Sequence, residues 1–140
     1  MQRLIIDTNV YIDWFNAGRH EDILFQRETV KHLSAVVVME LRAGASSTRD
    51  RRLVQRVESA FAKARRILVP SETVFAEAGD VLRTLHAARG FRSAQRHSIV
   101  NDVLIALSAR SIGATVATQN EGDYRAIQAV SPFALLVVRG

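Results

Sequence analysis

The stretch LIIDTNVYIDWF, residues 4–15, decides how the rest of the chain is read. Leu4, Ile5 and Ile6 form a short apolar run without alternation, the pattern of a strand covered on both faces. The run breaks into Asp7, Thr8 and Asn9, then turns apolar again at helical spacing from Val10. Strand, polar turn and helix in this order open an α/β unit. Asp7 therefore stands just beyond the carboxyl end of a strand, where open parallel sheets place their ligands. An Asp or Thr at this point also suits the N-cap of the helix that follows.

The same alternation continues along the chain. Strand-length apolar runs occur at 4–6, 35–38, 67–69, 115–117 and 135–138, and helical spacing over 10–16, 21–31, 39–45, 50–66, 72–89 and 99–112. Ser71 and Ser98 are expected N-caps, and Gly90 and Gly113 expected helix stops. The fold class is α/β: a central, mainly parallel sheet of about five strands flanked by helices. At 140 residues and 48% hydrophobic content, one domain spanning 1–140 is expected, with no repeat and no interdomain linker. No window approaches the roughly 18 consecutive apolar residues of a membrane span, and a signal-peptide pattern is lacking, so a cytoplasmic protein without membrane attachment is expected. Cysteine is absent, which excludes disulfides and thiolate metal sites.

Nineteen basic residues against fourteen acidic leave a formal charge of +5, and nearly all the basic ones are arginine. The guanidinium fork matches pairs of phosphate oxygens, so such a surface suits a polyanion. The same composition also suits ordinary solvated helix faces.

Acids recur beside expected strand ends. Glu40 follows the run 35–38 almost at once, in what reads as the first turn of a helix, where the helix dipole alone would favour it. Asp102 has Ile99, Ile105 and Ala106 as its neighbours three and four positions away, so its carboxylate projects from an apolar face. A carboxylate buried there needs an arginine partner or a shared cation. Thr118 and Asn120 end the fourth run, with Asp123 close by; a cap and a turn would explain them equally well. A parallel sheet would gather Asp7, Glu40 and Asp102 on one rim, where like charges repel unless positive charge sits among them. Hard divalent cations take all-oxygen ligands, and carboxylate-held Mg²⁺ beside a basic surface is the arrangement of metal-assisted phosphodiester hydrolysis.

The runs IIDTNV (5–10), VVMELRAG (37–44), NDVLIA (101–106) and TQNEGDY (118–124), in that order, resemble PIN-domain ribonucleases, specifically the VapC-type toxins of toxin–antitoxin pairs. The resemblance implies a PIN-like fold and a metal-dependent endoribonuclease that hydrolyses RNA phosphodiester bonds with Mg²⁺, or with Mn²⁺ in its place. Carried over by position, the metal-binding acids are Asp7, Glu40 and Asp102, with Asp123 as a further catalytic acid. Thr8, Asn9, Thr118 and Asn120 are supporting polar residues. The resemblance also implies a homodimer, silenced by a small antitoxin whose C-terminal segment covers the groove. Arg3, Arg92, Arg96 and His97 are candidate contacts to the RNA backbone. A non-catalytic PIN-like module that binds RNA or protein is the alternative. Haloacid-dehalogenase-like phosphatases need Asp-x-Asp and a later lysine, whereas Asn9 stands third here and the lysines are Lys31 and Lys63. Receiver domains need a lysine where this chain has Thr118.

Overall fold

Short apolar strands alternate with helices throughout the computed structural model, which describes residues 1–89 and 96–139, the side chains of Arg89, Arg96, His97 and Ser98 apart. In chain order the elements are β1 (Gln2–Ile6), α1 (Thr8–Ala17), α2 (Glu21–Leu24), β2 (Thr29–Ser34), α3 (Ala35–Gly44), α4 (Thr48–Lys63), β3 (Ile67–Leu68), α5 (Glu72–Arg89), α6 (Arg96–Ser111), β4 (Thr115–Thr118), α7 (Glu121–Val130) and β5 (Ala134–Val137). The five strands form one sheet in the order β3-β2-β1-β4-β5. Every pairing is parallel, with Leu4 opposite Lys31 on one side of β1 and Ile5 opposite Val116 on the other.

Parallel strands need crossovers, and the crossovers here are helices that cover the sheet. Hence Leu4, Ile5, Ile6, Val116 and Ala117 are all buried. Helix α6 is the most enclosed helix: the consecutive residues Asp102 to Ala109 are all buried, as for a helix surrounded by neighbours rather than lying on a surface. It packs against α3, α5 and α7 and touches both β1 and β4. The strand order reverses direction between β1 and β4: the chain builds outward from β1 to β3, then crosses back to β4 and β5. The crevice outside the carboxyl ends of β1 and β4 is thus the switch point at which such sheets bind ligands.

Two elements differ from the reading of the sequence. The run 35–38 is the first turn of α3, not a strand, and the second strand is the more polar Thr29–Ser34. The physical reason lies in Ser34, whose Oγ accepts the Val36 amide at 3.1 Å and starts a helix through β-branched residues. Packing of Val36, Val37 and Leu41 into the core then overrides their strand propensity. Consequently Glu40 lies in the second turn of α3, deeper than the first turn expected. The expected helix 21–31 shrinks to Glu21–Leu24, because Thr29, Val30 and Lys31 pair with β1. Ser98 lies inside α6 rather than at its cap. Ser71 does cap α5, accepting the Val74 amide at 3.1 Å, and Gly113 ends α6 at φ +67°, a conformation glycine adopts without strain. Gly90 lies outside the described residues.

Ser34→Ala removes the cap that converts 35–38 into helix. It should lower unfolding free energy by about 1 kcal/mol in urea denaturation, and an unchanged midpoint would show that α3 does not depend on this cap.

Candidate functional site

Asp7 is both the N-cap of α1 and the centre of a buried polar network. Its Oδ1 accepts the Thr8 amide at 2.8 Å, and its Oδ2 accepts the Thr118 hydroxyl at 2.7 Å and the Asn9 Nδ2 at 3.3 Å. The Asp7 amide donates to the Ala117 carbonyl, so the ends of β1 and β4 are joined at the same place. Thr118 Oγ1 also accepts the Asn120 amide at 3.0 Å, which turns the chain from β4 into α7.

The other acids arrive from helices. Glu40 of α3 accepts the Thr8 hydroxyl at 2.7 Å and Nδ2 of Asn101 at 3.4 Å. Asp102 of α6 is only 6% exposed, and its Oδ2 accepts Nδ2 of Asn120 at 3.2 Å. The same Asn120 amide donates to Asp123 Oδ2 at 3.1 Å. Asp7, Thr8, Asn9, Glu40, Asp102, Thr118, Asn120 and Asp123 therefore lie in one rim, joined by hydroxyl and amide donors. Arg3 does not. It lies near the amino end of β1, donating to the Ile112 carbonyl at 3.0 Å, and four residues of strand, about 13 Å, separate it from Asp7. Arg92 and the side chains of Arg96 and His97 lie outside the described residues.

Burial dominates the electrostatics of this rim. It is the largest cause raising the Asp102 pKa to about 8, followed by the charges of Asp7, Asp123 and Glu40. The Asp7 carboxyl is likewise raised, by burial first and by Glu40 among the rest, against the opposing hydrogen bonds from Thr118 and Thr8. Among the described residues no arginine, lysine or histidine pairs with Asp7, Glu40, Asp102 or Asp123. The arginine partner that could have balanced Asp102 is thus missing from these residues. The Tyr124 hydroxyl is buried against the two inner acids, where its interaction lowers the pKa of both Asp102 and Asp7, while burial, followed by the charges of Asp7, Asp102 and Glu40, pushes its own pKa well above the ordinary phenol.

All-oxygen donors with uncompensated negative charge fit a hard divalent cation. Among the described residues, however, no three His, Cys, Asp or Glu side chains close into a cage. Asn120 occupies the space between Asp102 and Asp123, supplying N–H donors where positive charge would otherwise be needed.

Several partners in this network carry no clear mark in the sequence. Gln119 Nε2 donates to Asp13 Oδ2 at 2.6 Å and lies 2.8 Å from His20 Nε2, tying the β4–α7 turn to α1. These contacts hold the Asp13 carboxyl below its usual range, Gln119 contributing most and His20 next. The Gln119 amide also donates to Asn9 Oδ1 at 3.2 Å. Asn101 and Gln119 adjoin residues already singled out, which is a usable signal; Asp13 and His20 show no spacing that would have revealed them.

The family model of the PIN domain matches residues 4–129. No curated protein matches the sequence. Among solved structures, the fold is similar to VapBC from Salmonella typhimurium bound to DNA, at 22% identity and TM-score 0.72, covering 98% of each chain. It is similar to VapBC2 from Rickettsia felis bound to a promoter DNA fragment, at 20% identity and TM-score 0.70, covering 99% of this chain and 100% of that one. It is also similar to FitAcB from Neisseria gonorrhoeae, at 26% identity and TM-score 0.68, covering 95% and 96% respectively.

The raised carboxyls make stability depend on pH in a defined direction. The folded pKa of Asp102, about 8, lies above the ordinary unfolded value of about 3.9, so folding favours its protonated form. This contribution is complete below about pH 4 and is lost as pH rises through about 8. In chelator, the melting temperature should fall between about pH 5 and about pH 9, and Asp102→Asn should flatten that slope and raise melting near pH 8 by roughly 5 °C or more. Calorimetric scans of both proteins check this; equal slopes would overturn it.

Proposed function

The chain belongs to the PIN-domain family, and on that premise we propose that it is a metal-dependent endoribonuclease that hydrolyses RNA phosphodiester bonds and serves as the toxin of a toxin–antitoxin pair. The observation that carries the reading is the pair of buried carboxylates, Asp7 and Asp102, at the switch point of a parallel sheet with no cation beside them among the described residues. Mg²⁺ is the cofactor of this proposal, with Mn²⁺ as its substitute. When bound, the cation lowers the pKa of an attacking water and neutralises charge developing on the phosphate.

The protein's own contribution is to hold oxygen donors in place before substrate arrives. Asp7 and Asp102 supply the inner carboxylates, and Glu40 and Asp123 the half-buried outer ones. Thr118 and the Thr8 amide hold the two Asp7 oxygens apart, Thr8 Oγ1 fixes Glu40, and Asn120 fixes Asp102 against Asp123. Locking the donors in this way lowers the reorganisation left for the reaction. The low-dielectric floor beneath Asp7 and Asp102 strengthens every charge interaction made above it.

The likeness to VapBC structures supports a small antitoxin as partner, and residues 1–140 as a single domain that forms a homodimer in the cytoplasm belong to the same proposal. No helix among the described residues is long and apolar enough to cross a membrane. One observation favours the non-catalytic alternative, an RNA- or protein-binding module: among the described residues no three His, Cys, Asp or Glu side chains form a group that could hold a metal ion.

Cleavage of total RNA and of defined single-stranded RNA and DNA, with Mg²⁺, Mn²⁺ or chelator, separates the two readings. Metal-dependent cutting that drops on the order of 100-fold or more in Asp7→Asn is expected. A folded protein that binds neither Mg²⁺ nor Mn²⁺ and cuts neither RNA nor DNA would turn the assignment to the binding module.

A further inference from the structure

Helix α4 carries positive charge on the face it turns away from the core. Val54 is buried and Val57 and Phe61 pack against the core. At 100° per residue, positions 52, 56, 59 and 63 cluster on the opposite side within about 60° of arc. Arg52, Arg56 and Lys63 are exposed there, and among the described residues none of them makes a hydrogen bond or ion pair. The acids of α4 lie on other faces and are already matched, Asp50 by Arg49 and Glu58 by Arg42. Arg52 and Arg56, four residues apart, repel each other within the helix, a cost that nothing on this face offsets.

These cations line a shallow groove of about 510 Å³ with Gln55, Ser59 and Ala60. Two further depressions, reached around the side of α4, lie between this groove and Glu40. Gln55 also lines the neighbouring depression between α3 and α4, and Ala45 and Val54 of that depression line the cavity of about 120 Å³ beside Glu40. From Arg52 to Lys63 the helix advances about 16 Å, enough for several successive phosphates.

We propose that the outward face of α4 is the phosphate track of the substrate, along which Arg52, Arg56 and Lys63 hold the backbone of a single-stranded RNA whose adjoining segment reaches the acids at Glu40. The inference rests on the nuclease reading and deepens it by assigning the substrate path. Phosphate contacts of this kind position a strand without reading its sequence. The groove favours a nucleic acid over a protein segment because its own lining offers cations, an amide and a hydroxyl, while the apolar depression formed by Trp14, Phe25 and Phe61, which shares Arg56 and Ala60 with it, lies to one side.

The test measures binding of a fluorescein-labelled single-stranded RNA of mixed sequence in chelator, by anisotropy across a salt series. It compares wild type with the triple variant Arg52→Gln/Arg56→Gln/Lys63→Gln and with an equal-charge control, Arg27→Gln/Arg83→Gln/Arg125→Gln, each confirmed to melt with wild type. Three lost phosphate contacts should reduce the slope of log affinity against log salt by about 2 and weaken binding about 100-fold at about 0.1 M salt, with the control close to wild type. Equal losses in both variants, or no loss in either, would overturn the track. So would absence of RNA binding by wild type. Poly-L-glutamate bound through these residues, with RNA binding unaffected by their loss, would assign the face to an acidic protein segment and also overturn it. Cleavage by the same proteins in Mn²⁺ separates the two readings: RNA binding that depends on α4 without cutting by wild type removes the nuclease and keeps the track. Cutting with unchanged KM in the α4 variant keeps the nuclease and removes the track.

Discussion

Two carboxyl groups, Asp7 and Asp102, are taken out of water side by side, and much of the structure is organised around that cost. A buried, unpaired carboxylate is expensive, and a second one nearby makes each harder to ionise. The protein meets this with neutral donors: the Thr118 hydroxyl and the Thr8 amide on Asp7, and the Asn120 amide on Asp102. Neutral hydrogen bonds lower the penalty without cancelling the charge. The upward displacement of both pKa values is the part left over, and it is what suits this rim to a cation.

The sheet order is what brings these groups together. β1 and β4 are neighbours although more than a hundred residues separate Asp7 from Thr118, and the register Ile6 opposite Ala117 sets the two at the same height. α6 delivers Asp102 by passing through the core, buried along its whole middle section, so the acid's position is determined by packing rather than by a flexible loop. Glu40 reaches the rim on α3, whose start is governed by Ser34. The outer surface of α4 repeats the theme in the opposite sign, with unmatched positive charge instead of unmatched negative charge.

Strands at Leu4, Ile67, Val116 and Leu135 were legible because their residues are apolar, β-branched in part and bounded by turn residues, and each falls in or beside an observed strand. Asp102 was legible because helical spacing placed it on an apolar face, and it is buried as that spacing requires. The second strand was not. Thr29 to Ser34 alternates too irregularly to announce itself, while Val36 and Val37 imitate a strand that Ser34 and the core turn into helix. Local propensity loses there to capping and long-range burial.

The sequence by itself determined an α/β architecture, the burial of β1 and α6, and the set of acids and hydroxyls worth examining. Periodicity and residue chemistry are local properties, and a window of a few residues carries them. Only the tertiary structure decided that Asp7, Glu40, Asp102, Thr118 and Asn120 share one network, that Arg3 stands at the far end of its strand, and that Asp13, His20 and Gln119 brace the turn between β4 and α7. Those relations depend on which strands pair and in what register, and pairing between distant segments is settled by the burial of the whole core rather than by any one stretch of chain.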